Sequence, residues 1–294
     1  MIQKPIKDKI QKLKAEYDVL CKGKDSLLSI LDDAEAPESV YNSNAIENST
    51  LTLKETEKIL LEMEVSRDVS VREVFEAKNL ARVISYTREK SQSEELSKEL
   101  ILLLHKMLIG NIDDSIAGRF RKPGEYVVST HIAPAPEQVE KMVESLLLSH
   151  ISDHSSYFIE KIALFHLEFE NIHPFCDGNG RIGRVLMNFQ LLHLGFPRIM
   201  IRDKEKQIYY KSFNDYRDNK SVKIMDKIIT IGILESLNKR IAYLRGDTIV
   251  TLADYAKKNN IKTSILINAA HRQSIPAFRE RGVWKINRSF IYKK

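Results

Sequence analysis

The sequence predicts a mainly α-helical protein that ends in a small α+β module, and three observations carry that prediction. Apolar residues recur at helical spacing through most of the first 245 positions. Only one short run among them, Tyr126 to Ile132, is rich in β-formers, and it lies between a Pro123-Gly124 turn and two prolines. From Thr248 onward the pattern changes to two short helical segments followed by an alternating stretch.

Ile10, Leu13, Tyr17 and Leu20 share one face of a first helix, and Thr52 caps a second that opens at Leu53-Lys54-Glu55. A third runs from about Val71 through Ala77 and Leu80 to Tyr86. After a polar break at 91–96 another spans Glu99 to Ile109. Residues 118–136 read as a small β-hairpin. Helix resumes at Pro136 to Leu148 and at 156–171, where Phe158, Ile162, Phe165 and Phe169 form an apolar stripe that Pro174 brings to an end. Ile182, Val185, Leu186, Phe189 and Leu192 define the next helix, from Gly180 to about Gly195, and two more cover about 205–217 and 221–244. In the tail, helical segments on either side of Lys262 precede GVWKINRSFIY, which alternates as a hairpin about Asn287-Arg288. Helix, turn, helix and wing make a winged-helix-like plan that resembles excisionase-like DNA-binding domains.

Composition excludes several classes. With 43% hydrophobic and 29% charged residues the chain reads as an ordinary folded protein. Its longest apolar stretch, Ile101 to Ile109, is interrupted by His105 and Lys106 and is too short for a bilayer. The amino terminus has no signal-peptide core, so a cytoplasmic protein without membrane contact is expected. Cys21 and Cys176 are too few for a disulfide framework. The net charge of +6 resides in the tail: residues 246–294 hold ten Lys or Arg against three Asp or Glu, whereas the rest is nearly balanced. A basic module suggests a polyanionic partner such as DNA, and a merely solvated basic face is the competing reading.

The chemistry concentrates between His173 and Arg184, in the run HPFCDGNGRIGR. Gly178 and Gly180 flank Asn179 at a helix start, where unpaired amides and the helix dipole attract an anion. Arg181 and Arg184, three apart on the first turn, reach one polyphosphate together. Asp177 offers a hard oxygen ligand suited to Mg²⁺, which usually takes only one or two protein carboxylates. His173 precedes the loop, and a histidine can titrate near neutrality, which suits a general base. Gly178 to Gly183 also fits the dinucleotide fingerprint GxGxxG, with Asp203 twenty residues on. That reading requires a strand leading into the first glycine, and here a helix leads into it.

At these residues the chain resembles the Fic family, whose motif HPFxDGNGRxxR it matches from His173 to Arg184 without substitution. The resemblance implies a Fic-type helical bundle with a small β-hairpin flap at 118–136, and transfer of AMP from ATP to a Ser, Thr or Tyr hydroxyl of a protein target. It implies His173 as the base, Asp177 as the Mg²⁺ ligand, and Gly178, Asn179 and Gly180 around the α-phosphate. Arg181 falls to the β-phosphate, Arg184 to the γ-phosphate, and Tyr209-Tyr210 to the neighbourhood of the adenine. Arg217 stands where relatives can carry an Asn, a departure that touches the adenine contacts. The flap would add a strand to the target backbone.

Ser43-Asn44-Ala45-Ile46-Glu47-Asn48 resembles the family's inhibitory pattern, in which Glu47 would take Arg184 in a bidentate bond and leave ATP misaligned. The expected organisation is a helical region over 1–95 with an inhibitory helix near 43–48, a catalytic core over 96–245 and a winged-helix-like domain over 248–294. Two other functions stay open: removal of AMP from targets with Glu47, and a nucleic-acid-binding regulator whose core mainly modifies itself. A second copy of the chain stays open as a partner. No zinc site is expected at His150 and His154, and Trp284 is expected in the core of the tail.

Overall fold

The computed structural model describes residues 2–65, 68–125, 127 and 132–292. They form two compact units, residues 35–195 with 200–226, and residues 1–34 with 196–199 and 227–294. Twelve helices lie among the described residues: α1 (Lys4–Cys21), α2 (Asp25–Ile46), α3 (Leu53–Glu57), α4 (Val71–Lys90), α5 (Lys98–Ile109), α6 (Pro136–Ser152), α7 (Phe158–Ile172), α8 (Asn179–His193), α9 (Lys206–Asn219), α10 (Lys223–Arg245), α11 (Leu252–Lys258) and α12 (Thr263–His271). The mainly helical expectation holds, and each helix anticipated from periodicity is present. Beyond its carboxyl end α2 was not anticipated, because Pro37 lies inside it and a proline usually ends a helix.

In the larger unit α4, α5, α7 and α8 pack around one core that includes Leu80, Val83, Ile101, Leu104, Phe165, Phe169, Ile182 and Phe189, all buried. Each such side chain contributes roughly 1.5–3 kcal/mol by leaving water. Helix α6 covers α7 through Val139 and Val143. Tyr209 and Phe213 of α9 pack beside His166 of α7. The cap anticipated at Thr52 is present, and as a full capping box: its hydroxyl accepts from the Glu55 amide, and the Glu55 carboxylate accepts from the Thr52 amide. Of the expected flap hairpin, Tyr126 and Val128 to His131 lie outside the described residues.

In the smaller unit the tail carries three strands, β1 (Ile249–Thr251), β2 (Phe278–Glu280) and β3 (Val283–Asn287), in the antiparallel order β1-β3-β2. Val250 pairs with Ile286, and Arg279 with Trp284. The sheet, α11 and α12 enclose Leu252, Tyr255, Leu266, Ala270 and Ile286, with Trp284 packed against them. The expected order of two short helices and a hairpin is therefore present, but the hairpin turns at Arg281-Gly282 rather than at Asn287-Arg288. A two-residue hairpin turn of this kind needs positive φ at both positions, and Arg281 and Gly282 have φ of 49° and 76°. Asn287 instead ends β3, and the Arg288 amide closes onto the Thr248 carbonyl of β1's approach.

Candidate active site

Helix α7 cannot continue through Pro174, and His173 becomes its cap in the left-handed region with φ 51° and ψ 62°. The chain turns through Phe175, fully buried, and re-enters helix at Asn179 after Gly178, whose φ of 82° favours glycine. The loop is held by its own polar groups. Asn179 accepts from the Phe175 amide (2.9 Å) and donates to the Phe175 carbonyl (2.8 Å), so its side chain is committed to the loop's backbone. His105 of α5 stacks on Phe175 with centroids 3.7 Å apart. Its Nδ1 accepts from the Gly118 amide, which leaves Nε2–H to donate to the Asp177 carbonyl at 3.0 Å. Burial pulls His105 down to about 4, so it stays neutral in this tautomer.

The amides of Asn179, Gly180 and Arg181 open α8 and have no acceptor within the helix. Around them lie the charges that the motif supplies. Arg181, 3% exposed, donates to Asp177 Oδ1 (2.9 Å) and pairs with Glu76 of α4 (3.3 Å). Arg72, also on α4, bridges Glu76 (3.1 Å) and the other Asp177 oxygen (2.5 Å). Burial acts to raise the Asp177 carboxyl, but Arg181, Arg72 and the Gly178 amide outweigh it, so the group sits below its ordinary value and is a carboxylate at neutral pH.

Arg184 lies one turn further along α8, 6% exposed. Its Nε donates to Ser43 Oγ (3.0 Å), and Nη2 to the Ser43 carbonyl (2.9 Å) and to Glu47 Oε1 (2.8 Å). The contact expected from sequence is present, but with one carboxylate oxygen and not as a bidentate fork. The reason is that Ser43, one turn earlier on α2, takes the remaining donors on that edge. Gly180 is shaped to this pair: a Cβ there would lie 2.3 Å from Glu47 Oε1 and 3.1 Å from Arg184 Nη1. Tyr209 accepts from Arg184 Nη1 (3.4 Å) and bonds His166 Nε2 (2.8 Å), while the Tyr210 hydroxyl donates to the Ile46 carbonyl (3.1 Å). Behind Arg184, burial and then the charge of Glu47 raise the Glu170 carboxyl to about 8, and burial lowers His166 to about 3.

The structure thus brings together His173, Asp177, Gly178, Asn179, Gly180, Arg181, Arg184, Tyr210 and Glu47. Arg217 bonds its neighbour Asn214. Sequence reasoning missed Arg72, Glu76, His105 and Arg121, and it named Ser43 and Tyr209 without their bonds to Arg184. Each is an ordinary residue on a helix or loop distant in sequence, and only the four-residue spacing of Arg72 and Glu76 hinted at a shared face. Cys176 bonds Glu125 (3.4 Å), and burial followed by that carboxylate raises its thiol to about 11, which leaves it a poor nucleophile. Among the described residues no cluster of three or more His, Cys, Asp or Glu could hold a metal.

One helix-loop-helix gathers a histidine, a carboxylate, an amide nest and two buried arginines, a set of groups with the chemistry to hold phosphate. Residues 95–191 match the model of the Fic/DOC family. It is 36% identical over 180 residues to the protein adenylyltransferase Fic of Nematostella vectensis, a match covering 60% of this chain and 42% of the relative. The protein of that name from Drosophila melanogaster is 32% identical over 174 residues, covering 58% and 35%. The match thus spans less than half the length of these curated relatives. Among solved structures, a Fic-domain signaling protein from Bacteroides thetaiotaomicron superposes with a TM-score of 0.74 at 24% identity, over 81% of this chain and 97% of that one. Fic-1 from C. elegans gives 0.71 at 25% identity, over 81% and 71%. A Fic family protein from Desulfovibrio desulfuricans gives 0.63 at 19% identity over 100% of this chain and 99% of that one, a likeness of fold that extends through the tail. Among the described residues no helix is long and apolar enough to cross a membrane.

Proposed function

We propose that the chain is a protein adenylyltransferase that moves AMP from ATP to a hydroxyl of a protein target, with Glu47 holding it in check. The observation that supports this best is the loop itself, where His173, the ionised Asp177, the amide nest and the two arginines converge. His173 takes the proton of the attacking Ser, Thr or Tyr hydroxyl as its oxygen bonds to the α-phosphorus and the bond to the β-phosphate oxygen breaks, releasing pyrophosphate. The α8 amides and Arg181 face the charge that develops, and Arg184 faces the γ-phosphate. Positioning and fixed dipoles supply most of the acceleration, as in phosphoryl transfer generally.

A single ionised carboxylate beside an anion nest fits a Mg²⁺ held largely by phosphate oxygens, and Asp177 would be its protein ligand. Such an ion neutralises phosphate charge in the transition state. Glu47 occupies Arg184, so a triphosphate enters with its γ-phosphate unclamped, and a displacement near 1 Å costs on the order of a hundredfold in rate. The same carboxylate could instead activate water against AMP-modified targets, and labelling experiments separate the two directions. With α-labelled ATP and Mg²⁺, Glu47→Gly should label itself or added protein at least tenfold faster than His173→Ala. Equal labelling would remove the transferase reading.

A second reading concerns the tail, which we propose binds DNA. Lys257, Lys258, Lys262, Arg272, Arg281 and Arg288 are exposed on it, whereas Arg279 and Lys285 are tied to Glu235 and Glu280. Lys262, Thr263, Ser264 and Asn268 form an exposed polar face on and before α12, the helix that such a fold sets in the major groove. Binding of a 20-bp duplex should weaken by roughly one to three orders of magnitude between 50 and 200 mM salt, and Lys257→Ala/Lys258→Ala/Lys262→Ala should flatten that slope. An unchanged slope removes the assignment.

A further inference from the structure

We infer that Arg121 is the positioning residue for His173, and that it ties the general base to the feet of the segment expected to hold the target. The functional half of this inference rests on the proposed transferase reading. Arg121 is 4% exposed and bonds the catalytic loop with side chain and backbone alike. Its Nε donates to the His173 carbonyl (2.8 Å), and Nη2 reaches the Ile172 carbonyl (3.4 Å). Those carbonyls belong to the two peptide planes on either side of the His173 α-carbon. Holding both fixes φ and ψ there, and with them the direction in which the imidazole leaves the chain. The Arg121 amide donates to the Pro174 carbonyl (3.0 Å), extending the clamp by one residue.

Such a clamp has work to do. A histidine in the left-handed region is disfavoured by roughly 1–2 kcal/mol and persists only where its surroundings over-determine it. The same guanidinium also faces the other way: Nη2 donates to the Pro134 carbonyl (2.9 Å) and Nη1 to the Glu125 carbonyl (3.4 Å). Glu125 and Pro134 bracket the β-prone run Tyr126 to Ile132. One buried side chain therefore holds both ends of that run and the backbone of the base.

The chemistry of the residue argues for this use. All four side-chain partners are carbonyl oxygens, and burial pulls the guanidinium below its ordinary value. A buried cation solvated only by carbonyls is an expensive way to fill space, and an apolar or amide side chain would serve packing alone. The planar fork can meet divergent carbonyls at once, which a lysine ammonium on a flexible stem cannot.

The test compares Arg121→Lys with its parent in the Glu47→Gly background. The proposal expects labelling from α-labelled ATP to fall about a hundredfold, as a misplaced base would give. ATP·Mg²⁺ affinity by calorimetry should stay within about threefold, because Arg121 touches none of the phosphate-facing groups. Hydrogen exchange of the peptide covering 170–178 should quicken at least tenfold while α5 keeps its protection. Labelling within threefold of the parent, or unchanged exchange over 170–178, overturns the proposal. If the Glu47→Gly parent does not label, the transferase reading falls and the exchange arm alone decides the role of Arg121. If Arg121→Lys loses its cooperative thermal transition, Arg121→Gln carries the same measurements, and loss of the transition in both overturns a local role.

Discussion

The contact between Gly180 and Glu47 can be tested without reference to activity. A methyl group at position 180 would lie 2.3 Å from Glu47 Oε1, about 1 Å inside ordinary contact, and only 3.1 Å from Glu47 Cδ. The Glu47 side chain is one-third exposed and is the part free to yield. Moving it by 1 Å stretches its 2.8 Å bond to Arg184 beyond hydrogen-bond range. A charge-assisted bond of this kind contributes about 1.5–3 kcal/mol when buried, and discounting for exposure leaves about 1–1.5 kcal/mol. Alanine in place of glycine on a helix gains up to about 1 kcal/mol, less in the first turn. Gly180→Ala alone should therefore change stability little. In a Glu47→Ala background the methyl meets no carboxylate, and the same substitution should stabilise by about 0.5–1 kcal/mol. A double-mutant cycle by urea unfolding should return a coupling of about 1–1.5 kcal/mol between positions 47 and 180. Additivity within about 0.3 kcal/mol would show that Glu47 does not rest on Gly180 and would remove the structural basis of the proposed inhibition.

Other outcomes follow from the same geometry. Glu170 is raised to about 8, so the folded state binds its proton more tightly than the unfolded chain does. The stability this gives is present below about pH 4.5 and is lost as pH rises toward 8, by up to about 1.4 kcal/mol per unit; Glu170→Gln should flatten thermal midpoints measured between pH 6.5 and 8. His166 and His105, lowered to about 3 and 4, act in the opposite sense, and stability should fall as pH drops below 6.5 whether or not Glu170 is present. In the smaller unit, Arg279 grips Glu235 through Nε (3.0 Å) and Nη2 (2.7 Å), with its amide on the same carboxylate (2.9 Å). Both side chains are nearly buried, so Glu235→Ala should cost about 3–5 kcal/mol in chemical unfolding; a cost under 1 kcal/mol would show the pair to be dispensable.

The comparison of sequence with structure turns on what each kind of signal can carry. Helices whose apolar residues repeat at 3.6 positions, α4 through α10, were legible because burial of one face writes itself into residue order. The loop from His173 to Arg184 was legible for a similar local reason: a histidine, a carboxylate, two glycines and two arginines must be contiguous if one helix start is to gather them. Even the partner of Arg184 could be named, through the resemblance, from a six-residue pattern whose Glu47 lies 137 positions upstream. The geometry of that contact could not, since it depends on Ser43 lying one turn before Glu47 against a buried guanidinium. The continuation of α2 through Pro37 goes against the local preference of proline, and the turn at Arg281-Gly282 follows from the pairing of Glu280 with Val283.

By itself, the sequence determined a helical chain, the loop from His173 to Arg184 with the residue types it holds, and a basic tail of two short helices and a hairpin. Only the tertiary structure decided how that loop is held. His105 pins Asp177, Glu76 and Arg72 surround the charges, and Arg121 fixes the two peptide planes of His173. The physical reason is range. Periodicity and contiguous motifs report interactions within one element, whereas the bonds from His105, Arg121 and Arg72 come from residues about 50 to 105 positions away, and little in their local sequence marks them.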